Sequence, residues 1–99
     1  MAALPSQMTA IGIKASGGPE MLVPMQRPVP VPGEGEILLR VAAAGVNRPD
    51  VMQRMGLYPP PPGAPDIPGL EIAGEIAALG PGVKRWKLGD RAMALVVGG

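Results

Sequence analysis

Fourteen of the 99 residues are proline, and their placement limits this chain to short elements joined by stiff turns. Pro28, Pro30 and Pro32 alternate along one stretch, and Pro59 to Pro62 are consecutive. Proline lacks a backbone N–H, clashes with a preceding helical turn and pushes the residue before it toward extended backbone, so neither stretch can be helical. Fifteen glycines add to the turn content. Together the two residue types exceed a quarter of the chain, a level that can accompany disorder. The apolar fraction of 46% and net charge of +1 argue against that outcome. The reading is ordered strands separated by many rigid turns.

Read for period, the chain resolves into strands and one helix. Thr9 to Ser16 alternates weakly and runs into the turn Gly17-Gly18-Pro19. Glu20 to Gln26 reads as a second strand, and Pro24 confines it to a sheet edge or a bulge. Glu36 to Val46 is the strongest strand signal, with Ile37, Leu39 and Val41 on one face and Leu38, Arg40 and Ala42 on the other. Both faces are largely apolar, so this strand is expected at the centre, covered on both sides. Asn47-Arg48-Pro49-Asp50 reads as a helix start, with Asn47 as cap, Pro49 in the first turn and Asp50 completing a capping box. One short helix is expected near 49–55, ended by Gly56. Tyr58 to Pro68 is then a long, stiff loop. Leu70 to Leu79 returns to strand, with Gly74 admitting close backbone approach or a bulge. Val83 to Leu88 is a surface connection in which Trp86 is expected to pack down, and Arg91 to Val97 is the last strand.

Composition excludes several function classes. One domain is the most that 99 residues suit, with residues 1–8 expected as a flexible tail. The core must come from Val, Ile, Leu, Met and Ala, because there is no Phe, one Trp and one Tyr. Met52 and Met55 are assigned to it as gap fillers. The near-neutral charge leaves no footprint for nucleic acid or anionic lipid. No apolar run approaches the ~20 residues that span a membrane, and the N-terminus carries no secretory signal. Without Cys there are no disulfides and no thiolate chemistry, and without His the commonest general base and metal ligand is missing. A soluble, cytoplasmic protein is the plain expectation.

The remaining signal lies in two kinds of run. The first is Gly69-Leu70-Glu71-Ile72-Ala73-Gly74, with Gly80, Gly82, Val83 and Gly89-Asp90-Arg91 behind it. The second is Asn47-Arg48-Pro49-Asp50-Val51-Met52-Gln53-Arg54 followed by Tyr58-Pro59-Pro60-Pro61-Pro62-Gly63. Together they resemble the medium-chain dehydrogenase/reductase superfamily, and most nearly its zinc-free quinone oxidoreductases, the zeta-crystallin-like branch. The resemblance runs from about Thr9 to the C-terminus. It implies a mainly β, GroES-like, partly open barrel that is incomplete here, with 9–99 as the N-terminal part of a catalytic domain and the Rossmann domain absent. In the zinc-dependent relatives the places of Asn47 and Leu70 hold a cysteine and a histidine that bind the metal. An amide and an alkyl group cannot anchor zinc, so no metal site is expected.

The resemblance also supplies site candidates. Asn47 is expected as a catalytic positioning and cofactor-facing group, and its residue-level alternative is a helix cap only. Tyr58 is expected near the nicotinamide end of an NADPH site, where its phenol would orient a carboxamide or a quinone oxygen. Its alternative is an aromatic anchor for the proline loop. Arg48 suits bidentate phosphate contact, against the alternative of a solvated charge at a helix start. Glu71 survives from the zinc-type signature and is expected buried, bonded to backbone or to a cation. Gly69, Gly74, Gly80 and Gly82 read as turn and bulge glycines, because no Gly-x-Gly-x-x-Gly opens a helix after a strand. A Pro-x-x-Pro pattern in the loop permits an adaptor ligand, a minor alternative.

The resulting expectation is part of an NADPH-dependent quinone oxidoreductase that passes hydride to a quinone or enone. These 99 residues alone are expected to bind NADPH weakly and to be inactive. Unpaired strand edges also lead to an expected homo-oligomer. The alternative is a non-enzymatic GroES-like binding or structural module, since fold alone does not fix function.

Overall fold

Two separate antiparallel sheets and one short helix make up the computed structural model, which describes residues 4–98. The first sheet is a hairpin of β1 (Gln7–Ile13) and β2 (Leu22–Pro28). Its register runs from Gln7↔Pro28 to Ile13↔Leu22, with Ile11 opposite Pro24. Both prolines therefore sit in a two-stranded sheet, where a strand has a free side and a missing N–H costs nothing. A single 3-10 turn, Pro19–Met21, feeds β2. β1 starts earlier than its alternation indicates: Gln7 and Met8, expected in the tail, already pair with Pro28 and Arg27. Residues 1–3 of that expected tail lie outside the described residues.

The second sheet has the order β3-β4-β5, formed by Ile37–Ala44, Glu71–Leu79 and Arg91–Leu95. Its centre is β4 and not β3, which corrects the expectation of a doubly covered strand over 36–46. Residues Arg40 to Ala44 are exposed, because β3 pairs with β4 alone and nothing packs on its outer half. An apolar pattern on two faces marks a strand that can be covered; it does not name the covering partner. β4 takes the central place because Gly74 tolerates close approach. A Cβ there would run into the Arg40 carbonyl and crowd the Val41 Cα at 3.1 Å. The register of β3 on β4 shifts between Leu38 and Leu39 and again between Val41 and Ala43, so the ladder bends past this point. Ile76, on β4, is the one large apolar side chain buried to 2% exposure among the described residues. The two sheets do not close into a barrel.

The helix α1 spans Arg48–Arg54, one residue earlier at each end than the expected span. Asn47 is its N-cap, in extended backbone at φ −124° and ψ 165°. The Asn47 N–H donates to Asp50 Oδ2 at 3.1 Å, and the Asp50 N–H donates to the Asn47 carbonyl at 3.0 Å. At the other end Gly56 turns left-handed at φ +82°, its N–H donates to the Gln53 carbonyl, and the Leu57 N–H donates to the Met52 carbonyl. That pair of bonds is a Schellman motif, which requires a residue free to adopt positive φ. Met52 is half-buried, as expected of a core residue, but Met55 is 42% exposed as the helix C-cap. Its turn faces solvent, which corrects its assignment to the core.

α1 links the two sheets. The Arg54 guanidinium donates to the Gly17 carbonyl at 3.0 Å, and the Gly17 N–H returns a bond to the Arg54 carbonyl at 3.0 Å. Downstream, Trp86 is half-buried and lines a shallow groove with Gly35, Gly82 and Lys84, with the Arg85 guanidinium 5.8 Å from its ring centre.

Candidate functional site

The helix and the proline loop frame a shallow cleft of about 290 Å³, lined by Ile13, Gln53, Gly56, Tyr58, Pro59, Pro60 and Asp66. Each wall follows from the local chemistry. Pro59 and Pro60 hold the chain extended beyond Tyr58, and a turn follows at Pro61 to Ala64, where the Ala64 N–H donates to the Pro61 carbonyl at 3.0 Å and Gly63 takes a φ of +83°. The Schellman turn at Gly56 reverses the chain and delivers Tyr58 half-buried at the base of that loop. Gln53 Nε2 donates to the Asp66 carbonyl at 2.9 Å, fastening the far end of the loop to the helix. Arg27 on β2 adds an ion pair to Asp66 at 3.2 Å. Both partners are partly or largely exposed, so this pair contributes little, about 0–1 kcal/mol.

Asp50 is the residue that sequence reasoning undervalued. Its Oδ2 completes the helix cap, while its Oδ1 accepts the Gly69 N–H at 3.0 Å. One carboxylate thus ties the helix start to the strand that begins with Glu71. The capping pattern indicated the first bond. Nothing local indicated the second, because its donor lies 19 residues away.

Asn47 reaches a different neighbour. Its Nδ2 donates to Glu71 Oε1 at 3.4 Å, a long and weak contact, and the Gly45 N–H donates to the Glu71 carbonyl at 3.0 Å. The Asn47 amide therefore meets the residue next to Leu70. Glu71 is exposed and bonded to this amide, not buried. Gly45 leaves room for it, since a Cβ there would meet the Glu71 carboxylate. Arg48 is exposed, with no hydrogen bond or ion pair among the described residues.

The candidates do not share one wall. Asn47 and Arg48 sit at the start of α1, whereas Tyr58 lies beyond its end, about 10 Å of helix apart at 1.5 Å per residue. Tyr58 lines the cleft; Asn47 and Arg48 do not. The cleft volume is at the lower limit of ligand pockets. No group of three His, Cys, Asp or Glu side chains able to hold a metal occurs among the described residues.

With this geometry in hand, comparison with known proteins defines the class. The family described as alcohol dehydrogenase GroES-like domain matches residues 33–98. The chain belongs to that family, within the medium-chain dehydrogenase/reductase superfamily, and its mainly β fold is GroES-like. Among curated relatives it is 40% identical over 90 residues to the human synaptic vesicle membrane protein VAT-1 homolog-like, covering 91% of this chain and 22% of that protein. It is 44% identical over 85 residues to a quinone oxidoreductase from Lama guanicoe, covering 85% of this chain and 26% of that protein. The crystal structure of the human homolog-like protein superposes with a TM-score of 0.82, over 91% of this chain and 29% of that one. A mycobacterial protein solved in complex with NADPH is 34% identical, with a TM-score of 0.74 over 90% of this chain and 28% of that one. The chain spans about a quarter of the length of these curated relatives.

Proposed function

We propose that this chain is the N-terminal part of the catalytic domain of an NADPH-dependent quinone oxidoreductase that works without zinc. The Tyr58 cleft carries this reading: a shallow groove with a phenol at its base, in a chain that resembles a quinone oxidoreductase and an NADPH-bound structure. A quinone or enone accepts hydride without a Lewis acid, so a site of neutral donors suffices. The chain has no His and no Cys with which to build a nitrogen and sulfur metal site. Asn47 and Leu70 stand where zinc-type relatives keep ligands.

Tyr58 would meet the nicotinamide end of the cofactor from the cleft, and Asn47 and Arg48 would act from the helix start outside it. Tyr58 would donate its phenolic hydrogen to the nicotinamide carboxamide or to the acceptor oxygen, and Pro59 and Pro60 would wall the ring. Asn47 would position the acceptor side from the helix start, with Glu71 orienting its amide. Arg48, exposed and unpaired among the described residues, would be the phosphate contact. The bound dinucleotide would supply the hydride. No glycine-rich turn at a helix N-terminus occurs in these 99 residues, so the pyrophosphate has no cradle here. Reaction needs hydride and acceptor held face to face, and a ring site alone does not achieve that. A cytoplasmic location belongs to the same reading, supported by cysteine-free composition. Among the described residues no helix is long and apolar enough to cross a membrane.

The test is an equilibrium titration of NADPH followed by its nicotinamide fluorescence. Saturable binding in the millimolar range, or about −4 kcal/mol, is expected. Tyr58→Phe, which removes one hydrogen bond worth about 1 kcal/mol, should weaken it roughly 5-fold. Turnover with a naphthoquinone should not exceed the buffer blank. Binding unchanged by Tyr58→Phe would remove the phenol from the site.

A further inference from the structure

Two residues lining the Tyr58 cleft, Ile13 and Asp66, depend on one sulfur in the first sheet. Met25 on β2 pairs with Ala10, so the alternation of an antiparallel ladder puts its side chain on the same face as Gly12 and Arg27. Gly12 is the buried residue of β1, and Met25 lies over it. A Cβ on Gly12 would run into the Met25 sulfur and come within 2.7 Å of its Cε. Ile13 is the next residue, so its place in the cleft follows the seating of Met25 on Gly12.

The same sulfur helps to set Arg27. The Arg27 Nη2 donates to Met25 Sδ at 3.6 Å, while its Nη1 donates to Asp66 Oδ1 at 3.2 Å. Both holds are weak: a thioether is a poor acceptor, and the ion pair is open to water. Asp66 is tied to the helix separately, through its carbonyl, which accepts Gln53 Nε2. Met25 thus stands behind the cleft on two routes, one through the Gly12 backbone and one through the Arg27 guanidinium.

We infer that Met25 is an oxidation site for hydroperoxides, and that its sulfoxide reshapes this side of the cleft. The thioether sulfur attacks one oxygen of the peroxide. The O–O bond breaks, an S–O bond forms, and the proton of the transferred hydroxyl joins the departing hydroxide as water. Sulfur loses two electrons and the peroxide gains them. The product is polar and chiral where the thioether was apolar. Gly12 leaves no room on its side, so the new oxygen turns to Arg27, which re-seats on it at about 2.9 Å. The exposed contact with Asp66 is the one that yields. Ile13 then moves with Gly12, and Asp66 keeps only its bond from Gln53.

The test follows backbone amides by NMR during graded hydrogen peroxide treatment, with sulfoxide at each methionine measured by peptide mass spectrometry. Amide shifts at Gly12, Ile13 and Asp66 should grow in step with Met25 sulfoxide. They should not track Met93, which is 85% exposed on β5 and lines no part of the cleft. Met25→Leu, close in volume, should abolish the shifts, and Met93→Leu should leave them intact. Met25→Gln, which places a polar group there without oxidant, should show the oxidised pattern from the start. The same peroxide-dependent shifts in Met25→Leu would overturn the proposal. So would complete Met25 oxidation with Ile13 and Asp66 unmoved, or an unoxidised Met25 at peroxide levels that convert Met93 fully. No cofactor enters the test, so its failure leaves the NADPH reading standing; only the consequence for a bound nicotinamide rests on that reading.

Discussion

Asp50 does more for the site than any residue nominated from sequence alone. Its two oxygens accept N–H groups from Asn47 and Gly69, so one side chain fixes both the helix start and the entry to β4. Charge-assisted hydrogen bonds of this kind contribute about 1.5–3 kcal/mol each. Solvent access at Asn47 lowers that figure, so Asp50→Ala is expected to cost about 2 kcal/mol by urea unfolding. Arg48→Ala, two residues away and without a partner among the described residues, should fall within about 0.5 kcal/mol of the parent. Equal losses at the two positions would mean that the helix start is held by something other than the Asp50 carboxylate. The cap was legible in Asn47-Arg48-Pro49-Asp50 because capping is local. The Gly69 bond and the Asn47–Glu71 contact were not, since both depend on which distant strand docks beside the helix.

At the level of elements, glycines decide where strands can meet. Gly74 sits where β3 crosses β4, and a methyl group there would collide with the Arg40 carbonyl, a backbone atom that cannot rotate away. Overpacking of this kind costs about 1–3 kcal/mol. Gly74→Ala should therefore lower the thermal midpoint and reduce amide protection along β3 and β4, with the β1–β2 hairpin unaffected. A retained midpoint would show that the β3–β4 crossing relaxes freely. The alternation in Ile37 to Ala44 correctly announced a strand, and Gly74 correctly announced a close approach. Sheet order was not readable. Ala42, Ala43 and Ala44 are apolar enough to be buried yet small enough to remain exposed, and only the pairing of β3 with its neighbours separates the two outcomes.

For the whole molecule, mainly β architecture and membership of the GroES-like family were within reach of the sequence, because turn residues and the glycine-spaced run are both local patterns. The split into two sheets arises from contacts that no window of residues contains. Among the described residues Ile76 is the one large apolar side chain buried to 2% exposure, which leaves little core. The architecture is instead held by turns, by α1 bridging the sheets through Arg54 and Gly17, and by Asp50. What the chain offers chemically is correspondingly local: a shallow groove around Tyr58.

That groove is open to direct observation by backbone amide NMR of the ¹⁵N-labelled chain titrated with NADPH. Progressive, saturable shifts clustered at Ile13, Gln53, Gly56, Tyr58 and Asp66 are predicted. Shifts confined to the groove around Gly35 and Lys84 to Trp86, or no shifts at all, would contradict the assignment of the nicotinamide end to Tyr58.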